Sequence, residues 1–441
     1  MAQFFQAKKK TLSGQAVSLT ITGMDHQGRG IAKHNNKVCF VSGALRNEVV
    51  KAKLTEDKSR YCAAKTIKVE KKSDARVAPF CEHYEQCGGC QLQHLRLDQQ
   101  LVEKQTAVSQ LFAKFAKLED LAWQSPLLSE PLHYRRSARL AVMYDKTAKR
   151  MRIGYRAQGS KNIVTIKKCP VLSSVYDDIF SCFDGLLNTH KALRSVSHIQ
   201  LCQADEQNFV VIRHTNMISE SLKHTIIETG LAQGWQIIFQ GESHFIEHQH
   251  LPMPFYTLPS QNLKFEFGLD NFIQVNAKVN QAMLTQAVEW LELSGEEYVL
   301  DLFCGIGNFS LALAKSAKSV IGVEGVASAV AMATQNAHTN QITNTQFHCF
   351  DLTQVMQQAP WFSDELDVLV LDPSRTGALA ILEQLPLEQF KTILYVSCDP
   401  VTLARDSAII SQAAFSLEKI GLMNMFPHTG HIETMALFQR R

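Results

Sequence analysis

The sequence predicts an α/β protein in three parts. An N-terminal oligonucleotide-binding-like β-barrel covers residues 1–75, a central α+β segment covers 76–270, and a C-terminal doubly wound, Rossmann-like domain covers 271–441. Three observations carry this reading. Residues 14–70 break into short runs rich in Val, Ile and Thr, separated by Gly-containing turns, as in a small antiparallel barrel. Three cysteines crowd into residues 81–90. From about 271, nearly continuous apolar strands alternate with helical stretches, the pattern of a parallel sheet covered on both faces.

The elements follow in order. QAVSLTITGM, the turn DHQGRG, KVCFVSGAL, NEVVKAKLTED and YCAAKTIKVEK supply the barrel strands. Apolar positions at helical spacing predict a helix over 97–118. Residues 125–260 are mixed and strand-rich, with turns at Asp145–Lys146 and Pro252–Pro254, and the pattern leaves their topology open. Beyond 271 come the helix VNQAMLTQAVEWLEL, the strand YVLDLF, a Gly turn, the helix NFSLALAKSA and the strand SVIGVEG. A helix from Ala327 to His338, the strands QFHCFD and LDVLVLD, the helix ALAILEQL and the strand TILYVSC complete the run.

Composition narrows the function classes. The 441 residues are 45% apolar and 20% charged, which excludes a disordered, collagen-like or fibrous protein. No stretch approaches the roughly 18 uncharged apolar residues that a membrane span needs. The N-terminus MAQFFQAKKK lacks an apolar core followed by a small-residue cleavage site, so no secretory signal is expected. Eleven cysteines without such a signal point to the reducing cytoplasm, where clustered thiols serve metals or catalysis. The expectation is a cytoplasmic monomer with no membrane partner.

The net charge of +3 averages uneven zones. Residues 1–80 hold 16 Lys and Arg against 6 Asp and Glu, and residues 131–170 hold 11 against Asp145 alone, so the remainder of the chain is acidic. Two concentrated positive fields on an acidic body suggest a polyanion held at defined places. In the second zone, His133, Tyr134, Arg135, Arg136, Arg139, Tyr155 and Arg156 mix rings with guanidinium groups, a composition suited to stacking on unpaired RNA bases. Two solvated basic faces are the plainer alternative.

Asp301-Leu302-Phe303-Cys304-Gly305-Ile306-Gly307-Asn308-Phe309 lies between a strand and a helix, where glycines permit a tight turn and close approach of a ligand. Glu324 ends the next strand, 17 residues after Gly307, where a carboxylate can accept both hydroxyls of an adenosine ribose. Ser310 stands where the dinucleotide fingerprint requires a third glycine. A cofactor without a pyrophosphate is therefore favoured over NAD, namely S-adenosylmethionine, with Asp351 at the end of the third strand placed to accept from the adenine amino group. Asp301 can equally be a loop-bracing residue.

Asp372-Pro373-Ser374-Arg375 and Ser397-Cys398-Asp399-Pro400 follow the fourth and fifth strands, on the ligand-binding edge of such a sheet. Cys398 is a candidate thiolate nucleophile, its plain alternative being a buried small hydrophobe. Glu433 in HTGHIETM puts a carboxylate before the last strand. One reaction needs a thiolate, a carboxylate and a methyl donor together. Carbon 5 of uracil is a poor nucleophile until a thiolate adds to carbon 6, and a base must then remove the carbon-5 proton to expel the sulfur. Phe272 and Gln274 in DNFIQVN supply a ring and an amide for the base.

DNFIQVN, DLFCGIGNFSL, GVEG, LDPSR, YVSCDP and HTGHIETM together resemble the RNA uracil-5-methyltransferase family. The resemblance implies Cys398 as nucleophile and Glu433 as base. It also implies methyl-donor contacts from Gln274, Phe303, Asn308, Glu324, Asp351 and Asp372, and helix 97–118 set against the catalytic domain. The barrel resembles a TRAM domain, an RNA-binding module. With the cysteine knot, it points to the branch of the family acting on 23S ribosomal RNA, which implies a single-stranded or flipped-out uracil there (U1939) as target. Ser374 departs from the pattern, since many relatives carry a second proline there.

Cys81-x5-Cys87-x2-Cys90 is a compact thiol set with Gly88 and Gly89 between. Cys169 in KKCPV is the best fourth ligand, with His83 and His94 as alternatives. Spacing alone admits zinc or iron–sulfur; the family resemblance implies a [4Fe–4S] cluster on the four cysteines. A radical S-adenosylmethionine enzyme is disfavoured because its usual CxxxCxxC is absent. A non-catalytic RNA-binding protein is disfavoured because Cys398 and Glu433 are both present.

Overall fold

The computed structural model describes residues 16–241, 251–363 and 365–441. Gln15 of the expected first strand lies outside that range. The chain forms two compact units. One takes in the barrel strands through Phe80, Cys90–Ala107 and His428–His431; the other takes in Cys81–Gly89, Val108–Pro427 and Ile432–Arg441.

In the first unit, β1 (Ala16–Thr20), β2 (Gly23–Met24), β3 (Gly30–His34), β4 (Lys37–Ser42), β5 (Val49–Asp57) and β6 (Tyr61–Lys71) form one sheet in the order β1-β5-β6-β4-β3-β2. Side chains alternate along β5: Val50 and Ala52 are buried with Leu19, Val41 and Ala64, while Lys51 and Lys53 face water. In the antiparallel β5–β6 pair, Lys51 stands opposite Lys68 and Lys53 opposite Lys65, all four exposed. Like charges directly opposite destabilise a sheet, so this ladder is a positive face without internal compensation between its members. Helix α1 (Leu97–Phe115) is shorter than the expected 97–118, because Lys117 adopts a left-handed φ of 60°.

The second unit resolves what the sequence pattern left open between 125 and 260. Strands β7 (Ser137–Asp145), β8 (Arg150–Arg156), β9 (Ile163–Thr165), β10 (Val196–Gln203), β11 (Asn208–His214) and β12 (Trp235–Gln240) form a six-stranded sheet in the order β12-β11-β10-β7-β8-β9. Helices α2 (Ile179–Thr189) and α3 (Glu220–Ala232) bury Phe180, Phe183 and Ile226 against Leu140, Ile153, Leu201 and Ile212. A hairpin of β13 (Phe255–Leu258) and β14 (Leu263–Glu266) leads to α4 (Ala277–Leu291), capped by Asn276 accepting from the Val279 amide.

The remainder is the expected alternation: β15 (Tyr298–Leu302), α5 (Asn308–Ala314), β16 (Ser319–Glu324), α6 (Ala327–Thr339), β17 (Thr345–Cys349), β18 (Val368–Leu371), α7 (Leu379–Leu382) and β19 (Thr392–Ser397). Helix α8 (Pro400–Gln412) and strands β20 (Phe415–Met423) and β21 (Glu433–Arg440) complete it. The sheet order is β17-β16-β15-β18-β19-β21-β20, with the first five strands parallel and β21 antiparallel to both neighbours. Order reverses between β15 and β18, the switch point at which such sheets bind ligands beyond their carboxyl ends. Because β21 runs the other way, its first residue meets the carboxyl end of β19, with Thr434 opposite Ser397.

Candidate active site

The carboxyl edge of the seven-stranded sheet collects most of the residues singled out by the sequence. After β15, Phe303 takes a φ of 66°, uncommon for an aromatic residue, while its amide and that of Cys304 donate to the Val323 carbonyl. Gly307 has a φ of 89°, and a Cβ there would meet Phe347 at 3.3 Å, so this turn requires glycine. Glu324 ends β16 with one carboxylate oxygen accepting from the Gly305 amide (3.3 Å) and the other from the Val326 amide (3.0 Å). Asp301 is buried and accepts from the Ser310 hydroxyl at 2.5 Å, the loop-bracing alternative of the sequence reading. Burial pushes the Asp301 carboxyl up to about 7, against the Ser310 hydrogen bond, with Asp372 and Glu324 adding to the rise. Burial alone pushes Asp372 up to about 7.

Asp351 lies two residues beyond β17 and is exposed. Its carboxylate accepts from the amide (3.0 Å) and hydroxyl (2.8 Å) of Thr353, which hold it below the usual carboxylate range. The Phe350 amide donates to the Glu324 carbonyl (3.0 Å), tying the two strand ends together. Asn308 accepts from the Tyr256 hydroxyl (2.9 Å) and donates to Asn280 (2.9 Å), two partners that sequence reasoning missed. Gln274 precedes α4, and its main-chain oxygen accepts from Arg136 at 2.7 Å. Phe272 is 76% exposed, a bare ring beside Gln274.

Cys398 follows β19 and is half-buried. Burial raises its thiol to about 11, with the charges of Glu433 and Asp372 adding to the rise and Arg375 opposing it. These four residues, from the ends of β18, β19 and β21, therefore share one electrostatic neighbourhood. At such a pKa only about one thiol in ten thousand is ionised at pH 7. Asp399 caps α8 by accepting from the Val401 amide (2.9 Å), which fixes the backbone beside the thiol. Ser374 is exposed and its carbonyl accepts from the Gly377 amide (3.0 Å), so the turn closes without the second proline.

The basic zone at 131–170 differs from expectation. Tyr134 and Arg136 are buried, Tyr155 has its hydroxyl buried, and Arg135 lies 6.0 Å from the Phe426 ring centre. Buried as they are, Tyr134 and Arg136 cannot stack on bases. His133, Arg139 and Arg156 remain exposed. The sheet adds Arg213, which sequence reasoning missed: burial lowers the pKa of His198, and Arg139, Arg213 and Arg156 lower it further, so all three cations lie near that histidine. The missed signal was strand register, since Arg213 stands opposite His198 and Arg139 opposite Gln200.

Of the cysteines, Cys81, Cys87 and Cys169 lie in the second unit. Burial raises the thiols of Cys87 and Cys169, and in each case the charge of neighbouring cysteines adds to the rise. The Gly88 amide donates to the Arg156 carbonyl (3.0 Å), and His83 accepts from the Lys167 amide (3.0 Å), which removes it as the spare ligand. Cys90 and His94 belong to the first unit. Among the described residues, no group of three or more His, Cys, Asp or Glu stands in metal-holding geometry. No helix among the described residues is long and apolar enough to cross a membrane.

Comparison with known proteins gives a consistent result. The TRAM domain pattern matches residues 10–67. The chain is 71% identical, over all 441 residues and the whole of the relative, to the 23S rRNA (uracil(1939)-C(5))-methyltransferase RlmD of Pseudoalteromonas translucida. It is 44% identical over the full length of both chains to the protein of the same name from Shewanella woodyi. The Pyrococcus abyssi tRNA (uracil-54, C5)-methyltransferase, solved with S-adenosyl-L-homocysteine, superposes with a TM-score of 0.73 at 22% identity, covering 96% of this chain and 99% of that one, which shows a shared fold. The tRNA (uracil-5-)-methyltransferase pattern matches residues 96–441, and with the full-length identities this shows that the chain belongs to the tRNA (uracil-5-)-methyltransferase family.

Proposed function

We propose that this enzyme methylates carbon 5 of a uracil in 23S ribosomal RNA, U1939 by the names of its relatives, with Cys398 as nucleophile and Glu433 as general base. The observation that carries the reading is the antiparallel β21, which brings the Glu433 carboxylate within electrostatic reach of the Cys398 sulfur at the sheet's ligand-binding edge. The Cys398 thiolate adds to carbon 6, forming an S–C6 bond and moving the ring's electrons toward carbon 5. S-adenosylmethionine, when bound, supplies the cationic methyl group that carbon 5 takes up. Glu433 then accepts the carbon-5 proton, the C5–C6 double bond re-forms, and the S–C6 pair returns to Cys398. Gln274, Phe303, Asn308, Glu324, Asp351 and Asp372 hold the donor. The acidic grouping of Asp301, Glu324 and Asp372 suits a sulfonium cation. The target base must be unstacked and turned outward to reach the thiol.

RNA is held by the exposed Arg139 and Arg156, the half-buried Arg213 and the lysine ladder of β5 and β6, in a cytoplasmic monomer. Mapping 5-methyluridine in ribosomal RNA from cells lacking the protein tests the target: loss of the modification at one 23S position is expected, and an unchanged map contradicts it. A [4Fe–4S] cluster on Cys81, Cys87, Cys90 and Cys169 is the second part of the proposal, supported by the thiols of Cys87 and Cys169, which burial raises and which each feel the charge of Cys81. Its chemistry there is structural cross-linking. Anaerobically purified protein is expected to carry iron and sulfide, lost on Cys169→Ser; a zinc-loaded or metal-free protein contradicts it.

A further inference from the structure

Two of the proposed donor-binding residues come from different elements, Gln274 from the loop before α4 and Asn308 from the start of α5, and one buried cation reaches both. Arg136 is 5% exposed. Its Nε donates to the Gln274 carbonyl (2.7 Å) and its main-chain amide to the Val275 carbonyl (2.9 Å). Its own carbonyl accepts from the Gln203 amide (2.8 Å), anchoring it to the six-stranded sheet. The guanidinium carbon lies 4.6 Å from the centre of the Tyr256 ring, and Tyr256 donates to Asn308 at 2.9 Å. Tyr256 is itself buried and stacked on Phe265 at 5.2 Å between ring centres. An Nη2 atom of Arg136 is buried with no hydrogen-bond partner among the described residues.

Burying a guanidinium group costs free energy that an apolar side chain of like size would not, and an unmatched terminal nitrogen adds to the cost. Stability alone therefore does not account for Arg136. We propose that Arg136 is a positioning residue for the methyl donor: one cation fixes the Gln274 backbone directly and Asn308 through the Tyr256 ring, setting the spacing between the two. This rests on the assignment of Gln274 and Asn308 to the donor pocket. It differs from the sequence reading, in which Arg136 served RNA. The planar fork matters, because Nε serves the carbonyl while the face of the group covers the ring, and a lysine ammonium lacks that division of labour.

The test measures S-adenosylhomocysteine affinity by calorimetry and RNA affinity by filter binding for Arg136→Met, Arg136→Lys and Tyr256→Phe in the full chain. Arg136→Met is expected to weaken S-adenosylhomocysteine about tenfold and leave RNA affinity within about twofold. Arg136→Lys should restore less than half of that loss. Tyr256→Phe should weaken S-adenosylhomocysteine by a smaller factor, and the double variant should fall short of the product of the single effects, because the two act through Asn308. Tyr256→Phe and Arg136→Lys keep the test decisive if Arg136→Met does not fold. Unchanged S-adenosylhomocysteine affinity in the Arg136 variants, full rescue by lysine, or a loss confined to RNA would overturn the proposal. Gln274→Ala and Asn308→Ala separate the two layers: if both bind S-adenosylhomocysteine like the parent, the donor-pocket assignment fails; if they lose affinity and the Arg136 variants do not, only the positioning role fails.

Discussion

The two large sheets of the second unit handle charge in opposite ways. At the carboxyl edge of the seven-stranded sheet, Glu433 and Asp372 lie near the Cys398 thiol, and Asp301 and Asp372 are pushed up to about 7 and Cys398 to about 11, all chiefly by burial. On the six-stranded sheet, burial lowers the pKa of His198, and the nearby charges of Arg139, Arg213 and Arg156 lower it further. One region gathers acidic groups in a sheltered place, the other gathers cations on a partly exposed face. The proposed ligands differ in the same sense, a sulfonium cation in the first and a phosphate backbone on the second. On that proposal, RNA holding and methyl transfer rest on separate side chains and should break separately.

Removing the sulfur should produce the largest separation. Cys398→Ala is expected to lower methyl transfer by about four orders of magnitude or more while RNA affinity stays within about twofold, as measured by tritium transfer and filter binding. Next in size is the pH response of the thiol. With its pKa raised to about 11, alkylation of Cys398 by iodoacetamide should rise about tenfold per pH unit from 7 to 9 and flatten only near 11. Asp372→Asn removes one of the charges that raises the thiol, so it should speed alkylation severalfold at pH 8 even as turnover falls; slower alkylation would mean that Asp372 does not act on the sulfur electrostatically. On the basic sheet, Arg213→Ala should weaken RNA binding about tenfold and reduce the salt slope by about one, with the alkylation rate of Cys398 unchanged. The smallest effect belongs to the lysine ladder. Lys51→Ala with Lys68→Ala should lower the salt slope by up to about two while raising the melting temperature slightly, since these residues face one another across β5 and β6.

Much of the seven-stranded sheet was legible in the sequence, because buried parallel strands write themselves as continuous apolar runs such as YVLDL and TILYVS. The six-stranded sheet was not, since β7 and β8 alternate between buried and exposed positions while β11 is covered on both faces, and its connections run through helices of ordinary composition. α8 also escaped, although Asp399 and Pro400 are a cap and a first-turn proline for it. In the site, motifs at strand ends marked Cys398, Glu324 and Asp372, because strand order converts chain position into one edge. The roles of Arg136, Tyr256 and Arg213 were illegible. Arg136 sits in a run of basic residues whose burial alternates with strand pleat, and only coordinates separate the exposed Arg139 from the buried Arg136.

Trapping the covalent intermediate tests the central claim most directly. Glu433→Gln, incubated with target RNA and S-adenosylmethionine, is expected to accumulate a protein–RNA adduct whose mass includes the transferred methyl group and whose attachment maps to Cys398. Clean release of methylated RNA at the parent rate, or an adduct attached through another residue, would contradict the account.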